Sequence, residues 1–358
     1  MPARAEETKA YDYPDKKLWY DTTVYGGKLS ASKIVAGNGS KGFDIEKFIN
    51  SEMGEKIMSM IKNELVIYGD KNWNHPDVIK YWNDRGVIKE SHSIEDPKHT
   101  WITYVPDYMK KPVNSQKYPV VFSAHGGGGS LFEAENHGFV RICHEKRFIV
   151  VAPENENSNA VFSASNLKPL LDEMEKLGYP IDRSRVYYTG MSAGGSASLY
   201  TGLRDYKLVA AVAAHSSPRP LDQSSDKYPQ LITDDMFNIG TEVPMWLAVG
   251  EFDFGQLPFS EGIITGLNKW LAMNGCQKAS ATKDNMIGIS ADSITVKKIY
   301  GVDYTFADFY GKQGVKMNLI VGIQGHPHWV TPNFAESAWD FMSKFSRSGN
   351  GKLVVKAK

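Results

Sequence analysis

Arg185-Val-Tyr-Tyr-Thr-Gly-Met-Ser-Ala-Gly-Gly195 is the stretch on which the fold turns. Residues 185–189 read as a β-strand that runs into a tight Gly-Met-Ser-Ala-Gly turn, and a helix follows over about 192–203. Gly190, Ser192 and Gly194 fit the G-x-S-x-G pattern of a nucleophile elbow. The glycines have a physical reason. A serine at so sharp a strand-to-helix turn adopts strained backbone angles, and neighbours without side chains leave nothing to collide there. The helix that starts at the serine aims its free N–H groups and positive dipole end at the same point. A Gly-rich turn that only caps a helix is the plainer alternative; the strand–turn–helix context favours a reactive serine.

Outward from the elbow, strands and helices alternate. Residues 120–124 are a short, wholly apolar run, as expected of a buried parallel strand, and they end in His125-Gly-Gly-Gly-Gly129. A helix is expected over about 130–146, a strand over 148–152 and a helix over about 165–177, with Leu167, Leu170, Leu171, Met174 and Leu177 on its buried face and Pro169 in its first turn. After the elbow helix come a strand at 208–214, a loop-rich excursion over 216–242 and a strand at 245–249. Next are a helix over about 260–273 and an irregular insert over 275–314. A strand at 315–322 and a helix over 332–345, capped by Thr331 with Pro332 in its first turn, complete the pattern. Upstream, 87–94 and 100–105 flank the turn Glu95-Asp-Pro-Lys98 and suggest a hairpin. Such alternation means a mostly parallel sheet covered by helices on both faces. Residues 1 to about 42 are polar with little periodicity, an extended arm wrapping the domain or a partly disordered one. A helix is expected over about 44–63, with Ile45, Phe48, Ile49, Met53, Ile57, Met60 and Ile61 on one face and Asp44 as its cap. Trp73, Tyr81 and Trp82 would pack this extension onto the rest.

A reactive serine needs a base, an acid and an oxyanion hole on the same rim of the sheet. His125-Gly-Gly-Gly-Gly129 suits the last, since glycines let backbone N–H groups approach a developing oxyanion; Ala193, Gly127 and Gly126 are the candidate donors. The base belongs between the last strand and the last helix, where Gly325-His-Pro-His-Trp329 offers two histidines. His326, directly after the glycine turn, is favoured over His328, which would then sit on the rim. A metal reading of His-x-His lacks further ligands at suitable spacing. The acid belongs after 245–249, where Gly250-Glu-Phe-Asp253 offers Glu251 and Asp253. Asp253 is favoured, because a loop that has left the sheet reaches the histidine loop with the shorter side chain. Phe254, Phe259 and Trp329 flank these segments and, with Tyr228, Met236 and Phe237, are candidates for an apolar pocket, ordinary packing being the alternative.

The totals exclude several classes. Over 358 residues, 41 Lys and Arg balance 41 Asp and Glu, so no charge marks a nucleic-acid partner. No apolar run reaches the ~18 residues of a spanning helix. The first residues lack an apolar signal core, so the chain is either cytoplasmic or written in its mature form. Cys143 and Cys276 leave one bridge open and exclude a disulfide framework.

The segment Tyr179-Pro-Ile-Asp-Arg-Ser-Arg-Val-Tyr-Tyr-Thr-Gly-Met-Ser-Ala-Gly-Gly195 resembles the elbow region of the polyhydroxybutyrate-depolymerase and feruloyl-esterase-like branch of the α/β-hydrolases. Val105-Pro-Asp-Tyr108, Trp270 with Asn274-Gly-Cys276, and Trp339-Asp-Phe341 are similar to that branch as well. The resemblance covers roughly 87–347 and implies an α/β-hydrolase fold. It also implies secreted or periplasmic serine esterases acting on phenolic, acetyl or hydroxyalkanoate esters. It places an Asp a few residues past the strand at 245–249, which again favours Asp253. The expected organisation is an N-terminal extension over 1–86 on a catalytic domain over 87–350. The expected chemistry is an acyl-enzyme formed on Ser192, with His326 as base and Asp253 as its orienting acid. It needs no cofactor and takes a small or polymeric ester. A peptidase of the prolyl-oligopeptidase type shares the elbow, but no propeller-like repeat precedes this domain. A non-catalytic binding protein on the same fold would usually lack a triad member, and here every role has a candidate.

Overall fold

The computed structural model describes residues 76–94, 96–110, 115–127, 133–153, 167–224 and 232–356, with 23–24, 27–28, 43–44, 47–48 and 50–57 before them. Most of the expected arm, Ile45, Ile49, Met60, Ile61, Trp73, Gly128, Gly129 and Tyr228 lie outside the described residues.

One ten-stranded sheet organises the chain. Its strands are β1 (Val87–Ile94), β2 (Asp96–Pro106), β3 (Tyr118–Ala124), β4 (Ile149–Pro153), β5 (Ile181–Met191), β6 (Val209–His215), β7 (Met245–Phe252), β8 (Ser293–Ile299), β9 (Val302–Tyr310) and β10 (Lys316–Pro327). Across the sheet the order is β8-β9-β10-β7-β6-β5-β3-β4-β2-β1. The six strands from β4 to β10 in that order pair in parallel, and the flanking β1, β2, β8 and β9 pair antiparallel. The helices are α1 (Pro76–Asn83), α2 (Glu133–Asn136), α3 (Phe139–Lys146), α4 (Leu167–Lys176), α5 (Ala193–Arg204), α6 (Glu261–Met273) and α7 (Phe334–Met342).

Period-two alternation divides the core between the two faces. In β7, Met245, Leu247 and Val249 join α4, α5 and α6 on one side. Trp246 and Ala248 join α3 and α7 on the other, where Phe48, Met53, Ile57 and Trp82 also pack. The order reverses direction around β3, so β3 and β5 lie side by side and their C-terminal ends open onto a common rim.

Three expectations are corrected, and the question of a bridge is settled. The insert over 275–314 is not irregular throughout: β8 and β9 form a hairpin whose two-residue turn, Tyr300 and Gly301, has φ of 48° and 74°. Such paired positive φ values suit a tight hairpin turn. The edge strand β8, Ser-Ile-Thr-Val-Lys-Lys-Ile, is exposed on both faces and shows no buried alternation. The helix expected over 130–146 is broken at Gly138, whose φ is 89°. The last helix starts after Asn333 and no side-chain bond caps it, while the Thr331 N–H donates to His215 Nε2. Cys143 and Cys276 are both free.

Candidate active site

The elbow comes first. β5 ends at Met191, Ser192 stands between strand and helix at φ 56° and ψ −117°, and α5 begins at Ala193. A non-glycine residue in such a conformation stores about 1–3 kcal/mol and persists only where its surroundings impose it. The imposition is visible. The Ser192 N–H donates to His215 O at 2.9 Å, which ties the turn to the end of β6. On the other side the turn presses against β3: a Cβ on Gly194 would lie 2.1 Å from Ala124 O, and one on Gly190 would lie 2.6 Å from the same atom. Both glycines of the motif are therefore required by close approach.

The histidine that faces Ser192 is His328, whereas the sequence favoured His326. His328 Nε2 lies 2.9 Å from Ser192 Oγ, and His328 Nδ1 lies 2.6 Å from Asp253 Oδ1. A carboxylate only accepts, so Nδ1 carries the hydrogen and Nε2 is left to accept the Ser192 hydroxyl proton. Asp253 is fully buried, and its Oδ1 also accepts from Gln256 Nε2 at 2.8 Å, a partner the sequence reading missed. Glu251 faces elsewhere, accepting the Gly325 N–H at 2.8 Å on the exposed rim. Gly250 permits this crossing of loops, since a Cβ there would lie 2.3 Å from His326 O.

His326 is buried beneath the turn. Its Nε2 sits 2.8 Å from Trp329 O, so Nε2 is the donor, and Nδ1 bonds neither Ser192 nor Asp253. Burial pushes His326 down to about 4, which keeps it neutral. The sequence placed two histidines in one turn but could not show which faces the serine. In the structure the segment leaves the regular ladder between Ile323 and Pro327, so strand alternation does not predict side-chain direction there.

The oxyanion side is only partly described. An added Cβ on Gly127 would lie 3.8 Å from the Ala193 methyl, so the glycine loop and the first turn of α5 meet beside Ser192. The N–H groups of a helix's first turn have no intrahelical acceptor. His125 Nδ1 bonds Gly126 O at 2.8 Å. The loop is pinned at both ends. Ser123 Oγ meets His137 Nδ1 at 3.0 Å, and Glu135 accepts from Lys89 Nζ at 3.0 Å and Tyr104 Oη at 2.6 Å. None of these ties was legible in sequence.

Of the rings expected to line a pocket, Phe254 stands beside the site, its centroid 4.2 Å from that of His328, whereas the half-buried Trp329 packs against the core on the α3 and α7 side. Phe259 and Phe237 instead belong to the core on the α6 side, and Phe237 packs edge-on against Trp270. Among the described residues no group of three or more His, Cys, Asp or Glu is placed to hold a metal, and no helix is long and apolar enough to cross a membrane.

A central parallel sheet in this order, with an elbow after β5, an acid after β7 and a histidine after the last parallel strand, is the α/β-hydrolase fold. No protein-family model and no curated protein matches the chain. Solved structures do. A ferulic acid esterase from Anaeromyces mucronatus, in complex with ferulic acid, is 15% identical over 72% of this chain and 89% of that one, with a TM-score of 0.47. An acetyl xylan esterase from Aspergillus awamori is 12% identical over 72% and 98%, at 0.45. An S-formylglutathione hydrolase from Agrobacterium tumefaciens is 17% identical over 46% and 76%, at 0.36. The assignment of fold rests on the strand order and not on these likenesses.

Proposed function

We propose that the chain is a serine hydrolase of carboxylic esters that works through an acyl-enzyme. The observation that carries the reading is the continuous chain Ser192 Oγ–His328 Nε2 and His328 Nδ1–Asp253 Oδ1, at 2.9 and 2.6 Å, on a strained elbow. His328 Nε2 takes the hydroxyl proton as Ser192 Oγ attacks the ester carbonyl carbon. The tetrahedral intermediate then expels the alcohol, which receives that proton from His328. Water enters with the same base, and the acid leaves with Ser192 restored. Asp253 holds the tautomer and stabilises the imidazolium without taking the proton. The Ala193 N–H, with Gly127 and Gly126 from the facing loop, serves the developing oxyanion. The Ser192 N–H is excluded from that role by its bond to His215.

Phe254, beside His328, favours an apolar acyl or aryl group, whether carried by a small ester or by a polymer. Wild-type protein should hydrolyse p-nitrophenyl butyrate or methyl ferulate with a higher kcat/KM than p-nitrophenyl acetate, and Ser192→Ala should abolish turnover of all three. A preference for acetate would remove the pocket assignment; undiminished turnover in Ser192→Ala would remove the mechanism.

A further inference from the structure

Resting on that reading, we propose that residues 43–44, 47–48 and 50–57, before the catalytic sheet begins, are part of the frame of the active site. They hold the acid and base loops from behind. The loops need such support because the ladder does not supply it. β10 and β7 pair regularly up to Ile323 and Gly250; the register then breaks and resumes only at Pro327 and Phe252. Asp253 and His328 both lie just beyond this break, where no regular strand hydrogen bonds fix them.

Aromatic packing stands at the break. The Phe43 ring is 5.3 Å from that of Phe252, the residue before Asp253. It is also 5.3 Å from the Phe48 ring, and Phe48 stands edge-on to His326 at 6.2 Å. His326 passes this contact on. Its Nε2–H donates to Trp329 O at 2.8 Å, closing the turn 326–329 that presents His328. Phe43 thus backs the acid loop, and Phe48 backs the base loop through His326.

The segment is itself anchored. Ser51 Oγ accepts the Gly54 N–H at 3.1 Å, and Met53 and Ile57 are 1% exposed in the core shared with Ile323 and Tyr304. Its outer side meets the β8–β9 turn, where a Cβ on Gly301 would lie 3.6 Å from Glu52 Cβ. The N-terminal segment and the inserted hairpin, both additions to the parallel sheet, meet each other at Glu52 and Gly301.

Phe43, Phe48 and His326 are then positioning residues. Loosening them should misplace His328 without altering how substrate is held. In the full chain, Phe48→Ala and His326→Phe should each lower kcat on a p-nitrophenyl ester by about tenfold or more, since a shift near 1 Å at the reacting groups costs up to ~10². KM should stay within about twofold. His326→Gln should recover most of the loss, because its amide N–H can reach Trp329 O where the phenylalanine ring cannot. If Phe48→Ala does not fold, the His326→Phe and His326→Gln pair decides alone. Wild-type kcat in His326→Phe, equal losses in both His326 variants, or a change confined to KM would overturn the proposal while Ser192→Ala remained inactive. Activity retained in Ser192→Ala would instead overturn the hydrolase reading beneath it.

Discussion

Asp253 Oδ1 accepts from His328 and from Gln256, whereas Glu251 holds the Gly325 N–H at the surface. The two carboxylates are therefore expected to separate in kinetics. Asp253→Asn should lower kcat by up to ~10⁴, if the effect resembles the handling of tautomers in serine proteases, because an amide can donate to Nδ1 and turn the imidazole to the wrong tautomer. Glu251→Gln should cost less than about tenfold, since an amide oxygen still accepts the Gly325 N–H. Steady-state rates of the two variants on one activated ester settle the order, and the reverse order would contradict the assignment. At this scale the sequence was legible in part. Ser192 and Asp253 could be placed because each follows a strand whose end is marked by apolar residues and a glycine. His326 and His328 could not be separated, because the turn between them leaves the ladder and its direction is set by packing from distant residues.

The elbow is the element on which the site depends, and its tolerance is readable from contact distances. Gly194→Ala would drive a methyl to 2.1 Å from Ala124 O and 2.6 Å from Ala124 C, both backbone atoms that cannot swing away. We expect this variant to be destabilised by roughly 1–3 kcal/mol or more, as for an overpacked core site, and to lose its esterase activity. Thermal unfolding and turnover measured on the same sample test it, and a wild-type midpoint with wild-type rate would contradict the packing argument. Elements with strong apolar runs were legible: β3, β5, β6, β7 and the amphipathic α4 and α6 stand within a few residues of where their patterns put them. The β8–β9 hairpin was not. β8 carries exposed residues on both faces, so its sequence shows no buried alternation to read.

Over the whole molecule, a layer of buried neutral histidines lies behind the reacting groups. Burial lowers His326 from 6.5 to about 4 and His137 to about 3, and it holds His215 well below 6.5. Between these values and 6.5 the unfolded chain binds protons that the folded chain does not. Stability is therefore full above pH ~6.5 and declines as pH falls toward 4, by roughly 3 kcal/mol for His326 alone. Urea midpoints at pH about 7 and about 5 should show a marked loss that precedes most carboxylate titration, whereas equal midpoints would mean that these rings are not held neutral. Activation of Ser192 by His328 is read by reaction with a fluorophosphonate followed by mass mapping. In the wild type the label should sit on Ser192, and in His328→Ala the rate of labelling should fall by roughly 10³-fold or more. A label on another serine, or a His328→Ala protein labelled at the wild-type rate, would contradict the account.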